Sequence, residues 1–128
     1  MGDRENMSVQ NFRDLRVWQA GMDLVERIYR LTESFPSQER YGLTDQLRRA
    51  AVSIPSNIAE GHTRESSKEF LYHLSVAQAS LAEAQTQVEI AQRLNYLTKQ
   101  QADEVFEQTV QLSKQLFALR NALIKRGQ

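Results

Sequence analysis

Cysteine is absent from the 128-residue chain, which excludes disulfides and thiolate metal sites and removes any pointer to an oxidising compartment. Proline occurs twice and glycine five times. That is too few breakers for an all-β fold, which needs a turn about every 8–12 residues. No apolar run approaches the roughly 18 residues that span a bilayer, and the polar stretch from Met1 to Asn6 has no signal-peptide core. The expectation is a cytoplasmic protein without membrane contact. Net charge is missing too: 16 Lys and Arg balance 16 Asp and Glu, whereas a duplex binder usually carries a basic excess. What remains, 41% apolar residues in a chain of this length, suits one globular domain with one core.

Helices account for the pattern. Val17, Gly21, Leu24, Ile28, Leu31 and Phe35 alternate steps of four and three along one helical stripe, which Pro36 ends. A second helix begins near Tyr41 or Leu43, buries Leu43, Leu47, Ala50, Ala51, Ile54 and Ile58, and stops at Gly61. Pro55 inside it removes a donor and crowds the Ala51 carbonyl, so a kink is expected there, with Ser53 or Ser56 satisfying the freed carbonyl. Ser66 with Glu69 makes a capping-box start for a third helix, whose stripe runs Phe70, Leu74, Ala77, Leu81, Ala84, Val88 and Ala91 and which Asn95 ends. The alanines at 77, 84 and 91 permit close approach of a neighbour. Thr98 with Gln101 opens a fourth helix bearing Ala102, Val105, Thr109, Leu112, Leu116, Leu119 and Leu123. Four such helices with short polar connections predict an all-α, up-down-up-down antiparallel four-helix bundle over residues 12–126, with residues 1–11 as a frayed tail.

Two further apolar lines exceed what one bundle core needs. Trp18, Met22, Val25 and Tyr29 form the first, and Phe106, Val110, Phe117 and Ile124 the second. A helical stripe wider than roughly 100° calls for burial against something else, and self-association is the economical source of it.

Motifs for chemistry are few. The glycine spacing offers no phosphate-cradling loop. Glu69 and His73 share a helical face, but the bundle di-iron pattern of two Glu-x-x-His pairs is missing, so an ordinary Glu69–His73 pair is the plain reading. Neither His62 nor any serine sits in a nucleophile elbow. No catalytic, cofactor-binding or metal-binding residue is assigned, and the chain is expected not to be an enzyme. Glu83 and Glu89 read as solvated helix faces.

Arginine says more, with twelve against four lysines. Arg13, Arg16, Arg27, Arg30, Arg40, Arg48, Arg49 and Arg64 fall in the first half, among as many carboxylates as cations. Guanidinium suits phosphates and carboxylates alike. Salt bridges are the weightier expectation, and a phosphate surface requires charges to segregate in space. The densest constellation lies between Gln46 and Gly61, where Arg49, Ser53, Ser56 and Glu60 share one strip beside Arg48 and Asn57. Polar side chains of this kind in a bundle fix register and partner choice.

That stretch, with Phe12 to Trp18, Phe35-Pro36, Glu39 to Leu43, Ser66 to Phe70, Ala82 to Thr86 and Asn95 to Leu97, resembles the four-helix bundle family encoded in intervening sequences of bacterial 23S ribosomal RNA genes, the S23-like proteins. The resemblance covers about residues 12–97. Its most specific part is the run from Arg48 to Gly61, and the fourth helix matches in pattern alone. It implies a non-enzymatic homopentamer. It also implies kinship with accessory subunits of diversity-generating retroelements, whose basic surface contacts nucleic acid and a reverse transcriptase; this chain departs from them in its zero net charge. Two expectations follow. In the first, a homo-oligomer, pentameric by resemblance, offers RNA or a nucleic-acid-processing partner a surface bearing Arg13, Arg16, Arg48 and Arg49. Its subunits meet through Trp18, Met22, Val25, Tyr29, Arg49, Ser53, Ser56, Asn57, Glu60, Phe106, Val110 and Phe117. In the alternative, the protein is a scaffold without nucleic acid, and its arginines form intersubunit salt bridges.

Overall fold

The computed structural model describes residues 11–127; residues 1–10 of the expected tail, and Gln128, lie outside the described residues. Four helices carry the chain: α1 Arg16–Thr32, α2 Leu43–His62, α3 Ser67–Arg93 and α4 Lys99–Arg126. Short 3₁₀ turns at Phe12–Asp14 and Ser37–Glu39 precede α1 and α2, and the described residues contain no strand. None of these helices is long and apolar enough to cross a membrane.

Each boundary has a local cause. Asn11 caps the first 3₁₀ turn by accepting the Arg13 amide at 2.8 Å, and the Phe12 ring packs edge-on to Trp18. α1 ends where Thr32 turns its hydroxyl back onto the Ile28 carbonyl and Pro36 follows. α2 has Gly42 at its N-cap and so no capping side chain of its own; the Glu39 carboxylate substitutes, accepting the Leu43 amide at 3.0 Å. Ser66 accepts the Glu69 amide to start α3. α3 closes with Asn95 in the left-handed region at φ 65°, its amide on the Gln92 carbonyl and the Tyr96 amide on that of Ala91, the paired bonds of a Schellman cap. The Thr98–Gln101 capping box forms in both directions at the head of α4.

The helices pack as a closed ring, α1 on α2, α2 on α3, α3 on α4 and α4 on α1, with the α2–α3 contact the most extensive. Contacts between successive helices run in opposite senses. Along α1 and α2, Gly21 meets Pro55 while Thr32 meets Arg48. Along α2 and α3, Gly61 meets His73 while Ser53 meets Ser80. Along α3 and α4, Gln78 donates to Ser113 and Gln85 to Thr109. These are the registers of antiparallel neighbours. Inside the ring, Leu24, Ile28, Leu47, Ile54, Ile58, Leu74, Leu81, Val88, Val105, Leu112 and Leu116 are essentially inaccessible, as are the small residues Ala51, Ala77 and Ala91.

Four local expectations need correction. Gly61 does not stop α2; the helix runs on to His62, and Gly61 is buried against α3, so close that a Cβ there would lie 2.6 Å from His73 Cβ. The α1 stripe passes through Thr32, which is buried, while Leu31 is half-buried. Neither serine near Pro55 turns to the Ala51 carbonyl; Ser53 bonds Ser80 Oγ across the α2–α3 interface at 2.8 Å. His73 pairs with Asn57 and not with Glu69, because α2 supplies an amide oxygen 3.1 Å from its Nδ1 while Glu69 turns toward Arg64.

Candidate functional site

Three surface features are built by this packing. The first is an apolar groove between α1 and α2, about 350 Å³ in volume, lined by Trp18, Met22 and Val25 on one side and Val52, Pro55, Ser56 and Ala59 on the other. α1's second apolar line therefore faces the outer edge of the α1–α2 seam. Trp18 and Val25 are half-buried there, and Met22 is 42% exposed. Tyr29 continues the line, with the Arg48 guanidinium stacked 4.4 Å from its ring centre.

The second feature lies across the bundle. On α4, Val110, Ser113, Phe117 and Arg120 follow one another at helical steps of three and four, and Ser113 accepts from Gln78 of α3. Val110, Phe117 and Ile124 thus run along the outer edge of the α3–α4 seam, each more than 40% exposed, while Phe106 is half-buried against the core. In the ring order α1–α2–α3–α4 the two seams are opposite one another.

The third feature is electrostatic. The start of α1, the end of α2, the start of α3 and the end of α4 meet at one end of the bundle. Arg13, Arg16, Lys68, Lys125 and Arg126 all lie there, exposed and with no carboxylate within ion-pair distance among the described residues. Of the acids at this end, Glu60 and Glu69 are both turned to Arg64, which leaves Asp14 and Glu65. Toward the far end most cations are matched, Arg30 with Glu26, Arg49 with Asp45, Arg93 with Glu89, Lys99 with Asp103 and Arg27 with Glu104, while Arg40 and Arg48 lie over the Tyr41 and Tyr29 rings with no carboxylate partner among the described residues. Exposed pairs of this kind contribute at most about 1 kcal/mol each, but they cancel the local field. In a chain with no net charge, unpaired cations are thus gathered at the end where α1 and α3 begin.

The residues singled out in the sequence are divided among these features. Arg13 and Arg16 belong to the basic end. Arg49 is exposed and holds Asp45 four residues back. Arg48 is committed inside the chain, its Nε on Thr32 Oγ1 at 2.8 Å and its second amino group near the Tyr29 carbonyl. Ser53 and Asn57 face α3, where the Asn57 amide donates to the Ser53 carbonyl and hydroxyl and its oxygen accepts from His73. Ser56 lines the groove, and Glu60 holds Arg64. The sequence reading missed the α2 wall of the groove, Val52, Pro55 and Ala59, whose spacing of three and four was the available signal. It also missed Lys68, Lys125 and Arg126, which only the folded chain gathers beside Arg13. Among the described residues no group of three or more His, Asp or Glu is placed to hold a metal.

Comparison with known proteins gives the chain a family. The family model described as 23S rRNA-intervening sequence protein matches residues 13–118. Among solved structures, the chain is similar to a protein of unknown function from the S23 ribosomal protein family of Bacteroides thetaiotaomicron, at 22% identity and a TM-score of 0.73, with 81% of this chain and 97% of that one covered. That likeness bears on the fold. No curated protein matches the chain.

Proposed function

Because the chain belongs to the 23S rRNA-intervening sequence protein family, we propose that it works by assembly and not by catalysis, as a homo-oligomer that presents its basic end to RNA. The observation that carries this reading is the pair of apolar seams. Each leaves large side chains in water although the core of the single bundle is already closed. The α1–α2 groove and the α4 ridge are different surfaces on opposite sides of the molecule. Contact of one with the other is heterologous, and when the rotation closes it yields a ring. A pentamer, as the family resemblance implies, is one such closure.

The uncompensated cations support the second half of the reading. Phosphate contacts require a surface on which Lys and Arg are not already satisfied by carboxylates, and the basic end supplies one. The competing scaffold reading places arginines in intersubunit salt bridges.

Native mass spectrometry of the purified protein tests both halves at once. The expected result is a single oligomer of five subunits or another closed number, and RNA that dissociates as salt is raised. A monomer at micromolar concentration overturns the assembly. An oligomer that takes up no RNA at low salt overturns the role of the basic end and leaves the scaffold.

A further inference from the structure

The geometry points to a cleft at the α2–α3 turn as the seat of one nucleotide of single-stranded RNA, the base lying on Tyr72 and the phosphate on Lys68. This rests on the reading of the basic end as an RNA surface and says which form of RNA that end selects. The cleft measures about 590 Å³ and is lined by Arg64, Ser66, Lys68, Glu69, Tyr72 and His73.

Tyr72 is 64% exposed, more than any other large apolar residue on the helices. It does not hang free. Its ring packs edge-on to His73 at 5.2 Å, and His73 is itself fixed from behind. The Asn57 amide nitrogen is spent on Ser53, so its oxygen faces His73 and requires a proton on Nδ1. The ring that supports Tyr72 is thus held in one orientation by α2. Lys68 stands four residues before Tyr72 on the same face of α3, where side chains are neighbours roughly 5–6 Å apart at Cβ. Arg64, from the turn, is held 2.9 Å from Glu60 and 3.9 Å from Glu69, which leaves Lys68 as the cation of the cleft with no carboxylate partner among the described residues.

A positioned aromatic face beside an unpaired cation is the arrangement by which proteins bind unpaired bases without reading their sequence. Duplex RNA stacks its bases internally and can use only the cations. The two forms of RNA therefore separate the contribution of Tyr72 from that of the charge.

The test compares a fluorescently labelled ten-nucleotide oligouridine with a ten-base-pair RNA duplex, bound to the intact protein at low salt. Tyr72→Ala is expected to weaken the single strand about fivefold or more and to leave the duplex unchanged, because stacking contributes about 1–3 kcal/mol per base. Tyr72→Trp is expected to retain or strengthen single-strand binding. Equal single-strand affinity in Tyr72→Ala and the parent, or an equal loss for both RNAs, overturns the inference while the basic-end reading stands. Failure of the parent protein to bind either RNA overturns both.

Discussion

Two glycines show how much a single residue's meaning depends on what folds against it. Gly21 and Gly61 both lie inside helices, and both are buried. A Cβ at Gly21 would meet Pro55 at 3.4 Å, an ordinary contact, whereas at Gly61 it would lie 2.6 Å from the Cβ of His73 and 3.0 Å from the Phe70 ring. Alanine is favoured over glycine in a helix by about 1 kcal/mol. Gly21→Ala is therefore expected to stabilise the protein by up to about that amount. At Gly61 overpacking costs about 1–3 kcal/mol, so Gly61→Ala is expected to lose stability on balance. Urea unfolding at matched protein concentration reads both, and the midpoints should move in opposite directions. The sequence offered Gly61 as a stop because glycine after an apolar stripe commonly ends a helix. The opposing His73, twelve residues on, is what makes glycine necessary there, and no local pattern carries that pairing. Gly21, by contrast, lies in the α1 stripe as its spacing predicts.

At the scale of elements, the helices themselves were largely legible, because periodicity and capping are local. The Thr98–Gln101 box, the Asn95 terminus and the apolar stripes of α3 and α4 stand where the sequence puts them. The start of α2 was less so, since its cap is not at the cap position. Glu39 reaches it from the preceding 3₁₀ turn, accepting the Leu43 amide with one oxygen and the Tyr96 hydroxyl with the other at 2.9 Å. One carboxylate thus ties the head of α2 to the α3–α4 connection. The Leu43 amide, and after it the Tyr96 hydroxyl, holds the Glu39 carboxyl below its ordinary value. A carboxyl depressed in the folded state stabilises the protein above its unfolded pKa, and that contribution is lost as pH falls through the folded value. Glu39→Gln is accordingly expected to lower the melting temperature at pH 7. It should also flatten the part of the stability–pH curve that descends from the ordinary carboxylate range toward the depressed value. Thermal unfolding of both proteins across that range provides the check, and parallel curves would show that the two hydrogen bonds do not act through the charge.

For the whole molecule, what the sequence concealed was placement. Residues 13–16, 68 and 125–126 are far apart along the chain, and only antiparallel packing brings their cations to one end, so a neutral composition gave no hint of that basic surface. The two spare apolar lines were visible as periodicity, but their positions on opposite seams were not. That opposition makes the mode of assembly testable. Met22 in the groove and Phe117 on the α4 ridge are 42% and 50% exposed, so aspartate at either leaves the bundle's own core intact. Met22→Asp has a damaged groove and a sound ridge; Phe117→Asp has the reverse. If groove meets ridge, each variant alone has no complete contact and sediments as a monomer. Mixed together, the sound groove of one meets the sound ridge of the other, and the pair stops at a dimer because the remaining ends are both damaged. Sedimentation velocity of each variant and of the equimolar mixture distinguishes this outcome from its rivals. If like surfaces pair with like, the mixture behaves as the sum of the two variants and no new dimer appears.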